Sequence, residues 1–381
     1  MFEGYNKMSK KLIALCMVTC CSALLTHTAS AQPKFYGKID LSLDYLPQHN
    51  ATQRDEDKFR LNSNNSLIGI KGEEKLNDRF SAVYQSEWLI TIHKERSPRV
   101  LTPRNQFFGI KDQKLGTLKF GKQDSPLKQL GVLVDSYNNA VENNADIQGV
   151  MGGDNRVDDS FMYESPAIPA GQGEIDVAVM LPMGSRAGVT KSEGGAKAAG
   201  HHLGDAISTS VLYTDSKLSL GVAYDHAMPS NFLRKAYLNT EDTYTDTSGA
   251  FAAADTVRAV GRYDLNNGLS LRGLYQNSKV EERKGNAGHA DDIDQANSWL
   301  LGAEYQLPQA EKWTLKAQYT ATEAQMKHGY ADRDISQFIV GADYALNKNL
   351  RIYSYASYLL LEEGSKEDHQ LLMGSAVEWK F

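Results

Sequence analysis

Apolar and polar residues alternate with a period of two along most of this chain, and the repetition of that pattern constrains the fold more than any other feature. In residues 34–45 the odd positions are Phe35, Gly37, Ile39, Leu41, Leu43 and Tyr45, and the even ones Tyr36, Lys38, Asp40, Ser42 and Asp44. Successive side chains of a strand point to opposite faces, so one face is oily and the other can carry charge. A half-buried strand of a soluble sandwich alternates in the same way, so one segment decides little. The repetition decides more. Phe80, Ala82, Tyr84, Trp88 and Ile90 alternate with Ser81, Gln85, Glu87 and Thr91, and Trp313, Leu315, Ala317 and Tyr319 with Thr314, Lys316, Gln318 and Thr320.

Sixteen such runs begin near Lys34, Asn62, Arg79, Arg104, Leu115, Asp159, Gly173, Ala206, Lys217, Asp255, Gly268, Ala296, Lys312, Asp334, Asn349 and Leu371. The gaps between them alternate in length. Short turns fall at 74–78, 113–114, 216, 266–267, 308–311 and 347–348. Long polar gaps fall at 46–61, 93–103, 123–158, 183–205, 227–254, 280–295, 324–333 and 362–370. An even strand count, with short turns on one rim and long loops on the other, is the plan of an outer-membrane barrel. The expected fold is all-β: a 16-stranded antiparallel transmembrane β-barrel with short periplasmic turns and long extracellular loops.

The start of the chain fixes the compartment. Lys7, Lys10 and Lys11 precede a short apolar run, and Ala29-Ser30-Ala31 forms a small-residue cleavage site. Residues 1–31 therefore read as a secretory signal peptide, and 32–381 as one barrel domain. The apolar run is short for a membrane span, which takes about 20 residues. Cys16, Cys20 and Cys21 all lie in that leader, so the mature chain has no cysteine and no disulfide, thiol or Cys-ligated metal chemistry. The leader carries three Lys and one Glu, so its removal takes the net charge from −6 to about −8. No basic tract points to nucleic acid. The mean hydropathy is negative, as it is for a barrel whose lipid-facing and lumen-facing residues average out.

Tyr45, Trp88, Tyr213, Tyr224, Tyr263, Tyr305, Trp313, Tyr319, Tyr344, Tyr358 and Trp379 sit toward the ends of outward faces. Amphipathic rings suit the headgroup level, which makes outer-membrane lipid and lipopolysaccharide the expected surroundings. Phe381 closes the final alternating run and resembles the terminal signal read by the outer-membrane assembly machinery.

Five motifs, in order along the mature chain, carry a resemblance. They are Phe35-Tyr36-Gly37-Lys38; Leu67-Ile68-Gly69-Ile70-Lys71-Gly72-Glu73; Asn105 to Ile110 with Leu115-Gly116-Thr117-Leu118-Lys119-Phe120-Gly121-Lys122-Gln123; Asn155-Arg156-Val157-Asp158-Asp159-Ser160 with Tyr163 and Ser165-Pro166; and Leu346-Asn347-Lys348 with Leu350 to Ser354. Together they resemble the general bacterial porins of Gram-negative outer membranes. The resemblance implies a homotrimer that passes ions and small hydrophilic solutes by diffusion, without a cofactor. It also implies that the third long loop, 123–158, folds into the lumen and narrows it.

The resemblance implies a constriction with two sides. The loop acids Asp124, Asp135, Glu142, Asp146 and Asp154 would supply the acidic side. Lys38, which faces the lumen by parity, Lys122 and Arg156 would supply the basic side. Strict alternation from Leu118 and Phe120 turns Lys122 outward, so its role requires the strand to end or bulge at Gly121. Leu67 departs from the pattern by standing where the family has Arg. Arg60, Lys71, Arg258, Arg262 and Arg272 are further inward or rim cations, read as general lumen polarity. Acidic groups facing basic ones orient dipolar solutes, and the charge at the eyelet, not the whole-protein charge, sets ion preference.

Two other readings stay open. A substrate-specific channel for sugar, peptide or phosphate would show a lumenal aromatic slide, and the inward aromatics are few: Tyr36, Tyr353 and Tyr355. An outer-membrane barrel enzyme would need a Ser-His-acid set. The histidines lie mostly in expected loops, and His226 ends an outward face beside no such motif. No catalytic residue is assigned. The adjacent His201-His202 pair reads as solvated loop, and no metal site is assigned.

Overall fold

The computed structural model describes residues 32–47, 58–92, 101–184, 188–239, 250–281 and 290–381; the expected leader, with its three cysteines, lies outside them. The wall consists of β1 (Lys34–Leu46), β2 in two pieces (Lys58–Ser63 and Leu67–Lys75), β3 (Phe80–Ile90), β4 (Leu101–Asp112), β5 (Gly116–Asp124), β6 (Arg156–Glu164), β7 (Gly173–Pro182) and β8 (Ile207–Thr214). It continues with β9 (Leu218–Phe232), β10 (Ala250–Asp264), β11 (Leu269–Val280), β12 (Ile293–Gln306), β13 (Trp313–Met326), β14 (Arg333–Asn347), β15 (Leu350–Glu363) and β16 (Lys366–Lys380). Each strand pairs antiparallel with the next, and β16 pairs with β1 from Lys38↔Lys380 to Tyr45↔Met373. Phe381 and Gly37 exchange backbone hydrogen bonds at the seam. The barrel is closed, with sixteen strands.

Burial runs opposite to that of a water-soluble protein. Asp40, Ser42 and Asp44 are nearly inaccessible, whereas Leu43 on the other face of β1 is 54% exposed and Leu301 on β12 is 65% exposed. Val222, Tyr275, Leu315, Phe338 and Val377 repeat the outward pattern around the wall. Among the described residues no helix is long and apolar enough to cross a membrane, so the strands must do it. Closure leaves no unpaired edge in the hydrocarbon. An oily belt of this kind is stable only against lipid. Leu301→Arg should therefore cost about 2–4 kcal/mol of folding free energy in vesicles, as a basic residue does at the bilayer midplane. Denaturant titration of refolding should show that loss, and an unchanged midpoint would place the belt in water.

Most expected strand starts fall within a residue or two of the observed ones, and the exceptions all follow long loops. β10 begins at Ala250 and β16 at Lys366, five residues before the expected starts. The polar stretch 362–370 is a correction: Glu363 pairs with Lys366, and Gly364 and Ser365 alone make the turn. Gly364 has φ +61, which suits the first central position of a type II′ hairpin. Above the lipid both faces of a strand meet water, so alternation fades there although the ladder continues.

Inward apolar residues occur where something from inside covers them. Ala223, Val260, Leu274 and Leu300 on β9 to β12 pack under a helix, α1 (Pro126–Val134), and Ile335, Ile339, Leu359 and Leu372 on β14 to β16 pack under the chain that follows it.

Candidate pore constriction

Residues 125–155, between β5 and β6, turn inside the barrel, as expected for the third long loop. Ser125 caps α1 by accepting from the Lys128 backbone N–H at 3.2 Å, and Pro126 occupies the first turn, where its missing N–H costs nothing. Leu127, Leu130, Gly131 and Val134 face the wall, which leaves Gln129 and Val132 exposed on the opposite side. A second short helix, α2 (Ile147–Val150), starts at Asp146.

One buried arginine clamps the loop. Arg258 on β10 grips Asp154 with two hydrogen bonds of 2.9 Å, donates to the carbonyls of Leu127 and Gly152, and sends its Nε–H to Gln276. All five of its N–H donors are used. Gly131 is required beside it, because a Cβ there would overlap the Arg258 guanidinium.

The acids of the loop mostly shape the loop itself. Asp135 accepts from the backbone N–H groups of Tyr137 and Ile147 and from the Gln318 amide. Asp146, fully buried, accepts from the N–H groups of Gln148 and Asn139. Burial pushes both carboxyls above the usual carboxylate range, and for Asp146 the neighbouring Asp135 charge adds to it. Glu142 is half-buried at the tip, where Asn139, Val141, Glu142 and Asn143 all take positive φ. A β-branched residue such as Val141 is strained in that region. The tip is held by the break between the two pieces of β2: Asn65 donates to the side chains of Asn139 and Asn143, and Asn64 accepts from the Glu142 N–H. The loop is thus a chord, rooted at β5 and β6, lying along β8 to β16 and ending on β2.

The basic residues divide. Lys38 donates to Asp40 and to the Asn64 carbonyl and lies 3.9 Å from Glu378. Arg104 on β4 binds Glu87 at 2.6 Å and also reaches Asn65. Glu87 in turn accepts from Tyr36. Sequence parity turns Arg104 outward, because it shares a face with Phe108 and Ile110. The ladder between β3 and β4 slips by one residue between Ser86↔Gln106 and Trp88↔Pro103, and the extra residue on β4 returns Arg104 to the Glu87 side. It places a cation near the position left neutral by Leu67, which pairs with Lys38 across the ladder.

Lys122 and Arg156 meet a different partner. The bulge that Lys122 needs is present: Gly121 has φ +136, and the β5–β6 register shifts between Gly121 and Gln123. Lys122 then binds Asp158 at 3.0 Å and donates to the Glu193 carbonyl. Arg156 binds Asp124 and Asn105 and donates to the Gly194 carbonyl at 3.0 Å. Glu193 and Gly194 form the turn of a hairpin, Thr190–Ser192 with Gly195–Lys197, whose Ala196 pairs with Val157 on β6. Of the eight residues expected at the constriction, then, Lys38 and Glu142 lie about the Asn64–Asn65 junction. Asp135, Asp146 and Asp154 lie inside or beneath the loop, and Asp124, Lys122 and Arg156 lie at its root by the hairpin.

With that geometry in view, comparison with known proteins places the chain. The family model of the Gram-negative porins matches residues 14–363. The chain belongs to the Gram-negative porin family. Among porins of known sequence it is 24% identical to outer membrane porin C of Enterobacter cloacae, over 86% of this chain and 84% of that one. It is 25% identical to outer membrane porin N of Escherichia coli, over 93% and 94% of the two chains. Among solved structures, the anion-selective porin from Comamonas acidovorans superposes with a TM-score of 0.65 at 16% identity, covering 92% of this chain and all of that one. This porin is accordingly an outer-membrane barrel, and its relatives are channels.

Proposed function

We propose that the protein is a general diffusion pore whose water path runs between the free face of the inward loop and the arc of wall from β2 to β5. The observation that carries this reading is the chord: residues 125–155 are fixed to the wall at both ends and packed on the β8 to β16 side. On the path side the loop offers mainly amides and one apolar residue, Gln129, Val132, Asn138, Asn143, Asn144 and Gln148, with Glu142 as its acid. The wall offers Tyr36, Glu87, Arg104 and Lys38. Neutral amides hydrogen-bond solutes without adding charge, so they bias ion flow less than rings of charge do, which suits passive diffusion of ions and small hydrophilic solutes. The aromatics Tyr353 and Tyr355 are buried against Asp40 and Asp44, so they do not form a sugar slide. His226 pairs with Asp255 at 2.9 Å, but among the described residues no serine hydroxyl is hydrogen-bonded to its ring, so the nucleophile of a hydrolase set is missing. A channel therefore ranks ahead of an enzyme.

In this reading Lys38 and Arg104 with Glu87 form the charged wall of the constriction, and Glu142 the loop acid facing them. Asp135, Asp146 and Asp154 act by holding the loop's shape. The oligomer is a homotrimer in outer-membrane lipid and lipopolysaccharide, inserted by the assembly machinery through its Phe381 end.

Liposome swelling tests the solute class. Rates should fall smoothly with sugar size and rise linearly with concentration; saturation by one sugar would instead mark a specific channel. Lys38→Ala and Arg104→Ala should each move the reversal potential in a salt gradient toward cation preference. No shift in either would remove them from the constriction.

A further inference from the structure

A second segment crosses the lumen. After β9 ends at Phe232, the chain turns inward through Leu233 (φ +51) and Ala236 (φ +44) and forms one 3₁₀ turn, Ala236–Asn239. Tyr237 in that turn is fully buried, and its hydroxyl donates to the Gln370 carbonyl on β16 at 2.9 Å and lies 3.4 Å from Ser357 Oγ on β15. β9 and β15 stand six strands apart on a closed ring of sixteen, so the segment spans the barrel rather than following its wall. Gln370 lies beyond Met373, the last residue of β16 to pair with β1 among the described residues, and the phenol donates to its carbonyl there.

The strap also rests on the inward loop. Ala236, Tyr237 and Leu238 share one apolar cluster with Val141 and Val150 of the loop and with Leu46 of β1. A Cβ on Gly149 would come within 3.2 Å of the Ala236 Cβ, so the two segments are in direct contact. A merely exposed surface loop would not bury a tyrosine of this size on the far wall.

We propose that this strap is a second constriction: it narrows the mouth over the β9 to β16 side and sets the size of solute that reaches the loop. Tyr237 is its positioning residue. The inference rests on the diffusion-pore reading, but the readouts separate the two. Ala236, Tyr237 and Leu238 carry no charge, whereas Arg234 and Lys235 lead into the turn, so the size of polymer admitted, and not the sign of ion preferred, is the readout that isolates the strap.

The test is single-channel recording of the intact protein with and without polyethylene glycols of graded size. Tyr237→Ala should raise conductance and admit larger polymers than the wild type does. Tyr237→Phe keeps the packing and loses only the hydroxyl, so it should show excursions to the larger conductance level. If Tyr237→Ala does not assemble, Tyr237→Phe decides alone. Wild-type conductance and wild-type polymer exclusion in the variants that fold would overturn the strap's role and leave the pore reading standing; a wild-type protein that conducts nothing would sink both.

Discussion

Arg258→Ala should release the inward loop: conductance rises above the wild-type level and the open channel becomes noisy. The arginine is inaccessible to solvent and holds three separate points of the loop, Leu127, Gly152 and Asp154. Removing one partner of a buried pair leaves the other charge uncompensated, which costs about 3–5 kcal/mol. Here Asp154 would be stranded, and the loop can relieve that by leaving the wall. Asp154→Asn keeps the shape and one hydrogen-bond acceptor, so it should produce a milder form of the same change. Arg258→Lys cannot reproduce the fork and should resemble Arg258→Ala more than wild type. Planar-bilayer traces of the three variants give the ranking. Wild-type conductance and noise in Arg258→Ala would mean that the apolar face of α1 alone holds the loop.

The second large effect is expected at the seam where the barrel closes. Tyr355, Gly374 and Asp44 lie directly opposite one another on β15, β16 and β1, and the Tyr355 phenol crosses over Gly374 to donate to Asp44. Tyr353 does the same to Asp40 at 2.7 Å, passing the small Ala376. A Cβ at Gly374 would overlap both the Asp44 carboxylate and the Tyr355 ring. Gly374→Val must therefore push the ring aside and deprive a buried carboxylate of a donor, effects of roughly 1–3 kcal/mol each. The folded barrel should unfold at a clearly lower temperature in detergent. Tyr355→Ala in the same chain makes room for the valine, so the double variant should lose less than the sum of the two single changes. Additive losses would show that ring and carboxylate are not coupled through Gly374.

Both effects involve residues that periodicity places on the inner face but whose roles it does not reveal. The wall itself was legible, because lipid on one side and water on the other force alternation along every membrane-facing stretch. The odd residues of β1 and the terminal run to Phe381 could be placed from sequence alone. The site was less legible for two physical reasons. A single extra residue on β4 reverses the side of Arg104, and no composition signal announces that slip. Contacts across the lumen join residues more than a hundred positions apart, as Arg258 with Asp154 and Tyr237 with Gln370, and period-two patterning says nothing about them. The acids of the loop show the same limit: a carboxylate that caps a turn and one that faces a channel read alike in a polar stretch. One local signal was present for Lys122, since Gly121 interrupts an otherwise regular strand, and the bulge is found there.

The claim on which the rest depends is that the closed barrel encloses a continuous water path beside the inward loop. Purified, folded protein added to a planar lipid bilayer tests it most directly. The expected record is stepwise, ohmic conductance at low voltage, with steps grouped in threes as the proposed trimer requires. A folded barrel that inserts and yet passes no current would contradict it.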